Sequence, residues 1–282
     1  MTLETSATLS ILFGLLSALS WGTGDFFGGL ATKRASVYGV VLVAELVGAL
    51  LLAALALLFG EAIPGLQSLM WGALAGLAGA FGLLMLYRGL AGGQMGIVAP
   101  LSAVVSGVVP IVATILMEGL PATVQMVGFA LALVAVWLLS SHEGARLRIG
   151  DLWLPVAAGL GFGLYFVLIT RSGNEAVFWP LVVARLAGAL LIVIVAAAER
   201  APLWPPRQVM PMAIPSGVFD AGGNLFFVLA AASGRLDVAA VLASLYSGTT
   251  VLLAWLLLKE RLTRQQWLGV ATALAAIALI AL

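Results

Sequence analysis

The chain has 282 residues, of which 63% are hydrophobic and 9% charged, with a mean hydropathy of +1.17 and a formal net charge of +1. So little polarity cannot cover a water-soluble particle, which makes this an integral membrane protein, and the near-zero charge excludes a basic nucleic-acid-binding face. No cysteine is present, which rules out disulfides, thiolate metal sites and thiol chemistry.

The apolar runs are long and unbroken, unlike the short alternating strands of a membrane β-barrel. A bilayer-crossing helix needs about 20 apolar residues. On that template ten spans follow in chain order, at 8–31, 37–59, 67–90, 94–117, 122–141, 152–171, 177–198, 209–233, 236–258 and 263–281. The first run has no Lys or Arg before it and contains Asp25, so it reads as a retained span rather than a cleaved signal peptide. Linkers such as "EAIPGLQS" and "EGLPAT" are short, and no room remains for a soluble catalytic domain. The longest polar connection, "SHEGARLRIGD", falls mid-chain. It divides the protein into a first five-span unit (1–141), a central loop (142–151) and a second five-span unit (152–282).

Basic residues orient the spans. Lys33, Arg34, Arg88, Arg146, Arg148, Arg200, Arg207, Lys259, Arg261 and Arg264 lie at odd-numbered connections, and only Arg171 and Arg235 lie at even ones. The positive-inside rule places the odd connections in the cytoplasm and both termini outside, as in a multi-pass protein of a bacterial-type cytoplasmic membrane.

The two units are related. Shifted by 141 residues, "AGAFGLL" (78–84) lies over "FDAGGNL" (219–225), Trp21-Gly22 over Phe162-Gly163, Ser106-Gly107 over Ser247-Gly248, and Gln125 and Gly128 over Gln266 and Gly269. Shifted by 140, "AELVGALL" (44–51) matches "ARLAGALL" (184–191) at six of eight positions. An odd number of spans per unit inverts the second unit relative to the first. Inverted repeats are a feature of secondary transporters, whose sites lie near the midplane between the repeats.

Further motifs recur in the same frame. Ala18-Leu19-Ser20-Trp21-Gly22 opens the first half, Ala99-Pro100-Leu101 with Pro110, Glu118 and Leu120 runs through span four, and Glu260, Leu262, Gln266 and Gly269 enter the last span. Together they resemble the drug/metabolite transporter superfamily in its ten-span EamA-type branch, over essentially the whole chain. The resemblance implies an all-α membrane fold of two inverted five-helix repeats around a central cavity. It also implies export of small metabolites, most specifically amino acids, that branch including YddG-type exporters of aromatic amino acids. Carriers for another small metabolite or a drug belong to the same reading. Members carry Arg in the second span of a half; Arg185 fits, whereas Glu45 stands at its counterpart.

A charge at the bilayer centre costs about 2.5–3.5 kcal/mol on insertion scales, so such residues face an interior or a water-filled cavity. Asp25, Glu45, Arg185 and Asp220 lie well inside spans. Glu45 and Arg185 are pseudo-symmetric and fall near the same depth, within reach of an ion pair. Either they fix how the halves meet, or one of them gates the cavity or meets substrate. Asp220, beside Gly222, Gly223 and Asn224, either holds a neighbouring helix or takes a substrate ammonium or a coupling proton. The glycines there weaken the helix and let the backbone turn toward a cavity. Asp25 has Phe166 as its counterpart, so the fold does not require an acid there. It pairs with Lys33 or Arg34, gates the cytoplasmic side, or touches substrate.

Ser102 and Ser106 in span four and Ser244, Tyr246, Ser247, Thr249 and Thr250 in span nine form one wall of the expected cavity, or simply bond neighbouring carbonyls. Pro100 and Pro110 should kink span four. Among the aromatics, Trp21, Phe162 and Tyr246 fall beside matched small or polar residues and are assigned to the cavity. Trp153, Trp179, Trp204 and Trp267 read as interfacial anchors. The G-x-x-x-G spacings at Gly24–Gly28, Gly72–Gly76, Gly89–Gly93 and Gly159–Gly163 are packing signals.

The single histidine, His142, sits in the central loop, so neither a zinc site nor a His-based triad is expected. No P-loop is present. The expectation is therefore a transporter that needs no cofactor or metal, functions as a monomer in the lipid bilayer, and is not an enzyme. A channel, or an intramembrane enzyme using Asp25 and Glu45 as an acid pair, are the remote alternatives.

Overall fold

The computed structural model describes residues 3–91, 95–140, 152–173, 175–258 and 263–280. Among these are eleven α-helices and no strand: α1 (Leu3–Thr32), α2 (Val37–Leu58), α3 (Leu66–Ala91), α4 (Met95–Glu118), α5 (Thr123–Ser140), α6 (Trp153–Thr170), α7 (Phe178–Ala198), α8 (Met210–Ser233), α9 (Leu236–Ala243), α10 (Tyr246–Leu258) and α11 (Arg264–Ile280). Eight stretches are long and apolar enough to cross a bilayer, and α9 with α10 counts as one of them. Helices α5 and α11, of 18 and 17 residues, span about 26 Å and fall slightly short of a 30 Å core. His142, Gly93, Glu260 and Leu262 lie outside the described residues.

The ninth span is not one helix, as expected, but two. At Ser244-Leu245 the i−4 ladder gives way to a tighter bond from Leu245 N–H to the Leu242 carbonyl. The Ser244 hydroxyl donates to Val241 O at 2.7 Å, and such local bonding competes with the helix. Conversely, α4 remains a single helix through Pro110. Helix α8 likewise stays helical through Gly222 and Gly223, which serve close packing instead of opening the backbone. A Cβ on Gly223 would lie 2.4 Å from the Trp21 ring, and one on Gly222 2.8 Å from Ser20 Oγ.

The helices pack with a pseudo-two-fold pattern. Helix α1 packs on α8 as α6 packs on α3; α3 meets α7 as α8 meets α2; α4 meets α6 as α10 and α9 meet α1. Helices α2 and α7 pair with each other across the axis, and α5 pairs with α11 at the edge. Glycines set the closest approaches. A Cβ on Gly76 would lie 2.0 Å from Ala184 O, and on its counterpart Gly217 2.6 Å from Ala44 O. The G-x-x-x-G pairs behave the same way: Gly24 and Gly28 abut α8, Gly72 and Gly76 abut α7, and Gly159 and Gly163 abut α4. Without a hydrophobic force between helices in lipid, such backbone approach supplies the packing. Three serines add hydrogen bonds between α1 and α8. Ser10, Ser17 and Ser20 of α1 donate to Ala230, Gly223 and Phe219 carbonyls of α8 at 2.9, 2.8 and 2.7 Å.

The repeat extends to the helix ends. Helices α2 and α7 each finish with a 6→1 bond, Glu61 N–H to Ala56 O and Ala201 N–H to Ala196 O, both 2.8 Å. The turn needs a left-handed residue, which is Gly60 (φ 63°) in one copy and Arg200 (φ 53°) in the other. A side chain in that conformation costs about 1 kcal/mol. Arg200→Gly is therefore expected to stabilise the protein by about that amount and Gly60→Arg to destabilise it equally. Thermal unfolding in detergent reads both.

Successive crossings bring the C-terminal ends of α1, α3, α5, α7 and α10 and the N-terminal ends of α2, α4, α6, α8 and α11 to one face, which we term the basic face. Leu50, Leu57, Leu58 and Leu116 are strongly exposed on the outer surface of the bundle, as lipid-facing leucines should be.

Candidate functional site

A cavity of about 130 Å³ lies where the two repeats meet. Helices α1, α2, α3, α4, α6, α7, α8 and α10 all contribute to its wall. Its polar centre is built on the α2–α7 pair. Arg185 Nη1 contacts Glu45 Oε2 at 3.1 Å and also bonds Asp220 Oδ2. Matched glycines make the pairing possible: a Cβ on Gly48 would lie 3.3 Å from Arg185 Nε, and one on Gly188 3.1 Å from Glu45 Oε1. Each helix thus clears space for the other's charge. The second amine of Arg185, Nη2, is buried with no hydrogen-bond partner among the described residues.

The network continues along α8. Asn224 donates from Nδ2 to the Asp220 carbonyl at 2.7 Å, and its Oδ1 accepts from the Tyr165 hydroxyl. Asp220 keeps 35% of its side chain exposed and faces the cavity, whereas Glu45 and Arg185 are buried. Asp25 lies seven residues from the end of α1, about 10 Å from the basic face. It lines the same cavity, is exposed, and has no ion pair with Lys33 or Arg34 among the described residues.

The wall differs at its two ends. Toward the basic face it is formed by Asp25, Leu83 and Leu86. Toward the opposite face lies a cluster of aromatic rings. Trp21, Phe166 and Phe227 lie with ring centroids 4.6–5.8 Å apart, and Ile169 and Leu236 belong to the same buried cluster. The cavity therefore opens toward the basic face.

A profile of the EamA-like transporter family matches residues 8–141 and again 148–282. The chain belongs to the EamA-like transporter family. An uncharacterized protein of Methanocaldococcus jannaschii is 28% identical over 131 residues, which cover 46% of this chain and 94% of that protein. The relative is thus about the size of one repeat. A solved crystal structure superposes with a TM-score of 0.76 at 15% identity, covering 96% of this chain and 95% of the other, a likeness of fold alone. As a family member the protein is a multi-pass membrane transporter of small solutes.

Of the residues assigned to the site from sequence, Trp21, Phe162, Arg185, Asp220, Asn224, Tyr246, Asp25 and Glu45 line the cavity of this EamA-like protein. Ser102 and Ser244 do not. Both are fully buried where helices touch: the Ser102 carbonyl lies 2.6 Å from where a Cβ on Gly159 would sit, and Ser244 spends its hydroxyl at the α9–α10 break. Thr250 likewise bonds Gly22 O, joining α10 to α1 at 3.0 Å. From that group Ser106 and Tyr246 alone reach the cavity. Tyr165 and Phe166, which the sequence did not assign to the cavity, also line it.

Three further polar groups carried no structural assignment from sequence. Glu61, in the α2–α3 connection, accepts from the backbone of Val177, Phe178 and Trp179 at 2.7–2.9 Å and so caps α7. Asp237, fully buried, caps the Val238 N–H at 2.8 Å and pairs with Arg235 at 2.9 Å. Arg235 in turn donates to the Gly119 carbonyl at the end of α4. Gln266, part of the family motif, forms a reciprocal capping box with Thr263 at 2.9 and 3.2 Å. Its role is to start α11, away from the cavity.

Proposed function

We propose that this transporter exports amino acids from the cytoplasm by alternating access, with the basic face cytoplasmic. The observation that carries this reading is the composition of the cavity: three carboxylates and one guanidinium converge among Trp21, Phe162, Tyr165, Phe166 and Tyr246. A free α-ammonium finds a counter-charge at Asp220 or Asp25. A carboxylate finds Arg185, whose Nη2 lacks an acceptor among the described residues, once Glu45 or Asp220 yields. The aromatic wall suits an apolar or aromatic side chain, and the volume suits a small solute rather than a peptide.

The excess of acid over base favours a second reading, an organic amine without a carboxylate. Ammonium groups are attracted both to carboxylates and to aromatic faces. A thermal-shift panel on purified protein separates the two readings. Amino acids, their decarboxylated amines and their N-acetyl derivatives are compared at equal concentration. Amino-acid export predicts stabilisation by amino acids above amines and none by N-acetyl derivatives. Stabilisation by amines alone selects the second reading, and stabilisation by N-acetyl derivatives contradicts both.

A further inference from the structure

Pseudo-symmetry relates the aromatic plug to a second trio of residues that lines the cavity. The plug closing the face opposite the basic face is Trp21, Phe166 and Phe227, with Phe166 4% and Phe227 0% exposed. Offset by 141 residues, its counterparts are Phe162, Asp25 and Leu86. The registers agree in space: Gly223 packs on the ring of Trp21, and its counterpart Gly82 packs on the ring of Phe162. Phe162, Asp25 and Leu86 all line the cavity, and Asp25 stands exposed there.

In an inverted repeat each half can take up the other's conformation. The state that opens the opposite face then brings Phe162, Asp25 and Leu86 together, as Trp21, Phe166 and Phe227 are together now. The copy differs in one residue. Where the existing plug has a phenyl ring, the new one has a carboxylate. An ionised carboxylate enclosed between a phenyl ring and a leucine is strongly disfavoured unless it is neutralised. Among the described residues, the other charged or titratable groups facing the same cavity are Glu45 on α2, Tyr165 on α6, Arg185 on α7, Asp220 on α8 and Tyr246 on α10. Arg185 is already engaged by Glu45 and Asp220.

We propose that Phe162, Asp25 and Leu86 form the gate on the basic face, and that it shuts only when Asp25 receives a positive charge from the cavity, as a proton or a substrate ammonium. Asp25 thereby becomes the site that couples closure to a cation. The proposal rests on the alternating-access reading.

The cysteine-free background makes the test direct. Leu83→Cys reports access from the basic face, and Ile169→Cys, buried behind the existing plug, reports access from the opposite face. Labelling rates with an impermeant maleimide are compared for Asp25, Asp25→Asn and Asp25→Phe, using quench-corrected rates at each pH. With Asp25, acidification without solute, or amine-bearing solute at fixed pH, is expected to slow Leu83→Cys labelling and to speed Ile169→Cys labelling. Whichever condition acts names the source of the charge. Asp25→Asn and Asp25→Phe are expected to slow Leu83→Cys labelling by about tenfold, a bias of about 1.4 kcal/mol, and to abolish its response to pH. If Ile169→Cys is labelled under some condition but neither reporter depends on residue 25, the gate proposal is overturned while alternating access stands. If Ile169→Cys is never labelled in any variant, both are overturned.

Discussion

Arg185→Ala is expected to abolish transport and to lower folding stability by about 3–5 kcal/mol, the usual consequence of removing one member of a buried ion pair. The guanidinium is the sole cation among the described cavity-lining residues, and it faces Glu45 and Asp220 while Asp25 shares the cavity. Its removal leaves carboxylates facing one another in a bilayer-spanning interior, where water cannot fully compensate them. Neutralising the acids should therefore rescue folding. The triple variant Glu45→Gln, Arg185→Met, Asp220→Asn is expected to recover near-normal thermal stability and to remain inactive, because it restores charge balance and not the binding groups. Denaturation midpoints with uptake assays on the same preparations measure both. Equal stability of Arg185→Ala and the unsubstituted protein would contradict the network as the interface between halves.

The second large effect is steric. Gly76→Leu is expected to destroy the fold, because a Cβ alone would lie 2.0 Å from the Ala184 carbonyl. Neither helix can give way cheaply, since the obstructing atom is backbone. Overpacking typically costs about 1–3 kcal/mol, and a leucine here should exceed that range by forcing α3 off α7. Its counterpart Gly217→Leu should fail similarly against Ala44 O, at 2.6 Å. Gly29→Leu, with nothing within 4 Å of a Cβ, is the matched control and should fold normally. Yield and monodispersity of the three variants in size-exclusion chromatography test the series.

Much of this architecture is visible in the sequence because a bilayer imposes simple lengths. The spans, the duplicated "AELVGALL" and "ARLAGALL" segments, and the pairing of Glu45 with Arg185 all follow from hydropathy and offset. Orientation of side chains around a helix does not. In a soluble helix the polar stripe marks the exposed side, but here lipid and core are both apolar. The periodicity therefore cannot tell that Ser106 faces the cavity while Ser102, one turn away, faces α6. For the same reason Tyr165 was indistinguishable from a packing aromatic until its hydroxyl met Asn224. Asp237 was hidden by its place at a span boundary beside Arg235, and the break at Ser244-Leu245 by the unbroken hydropathy of the stretch. The asymmetry that matters most, Asp25 against Phe166, was legible as a mismatch in the repeat. Its meaning depends on knowing that Phe166 closes one face while Asp25 stands exposed toward the other.

The most direct test of the account is counterflow in liposomes reconstituted with purified protein. Vesicles preloaded with unlabelled amino acid, chosen from the binding panel, are diluted into trace radiolabelled amino acid. A transient accumulation of label above equilibrium is expected for the unsubstituted protein, and none for Asp220→Asn at matched protein density. Equilibration of label without overshoot, at a rate that does not saturate with concentration, would contradict alternating access through this cavity.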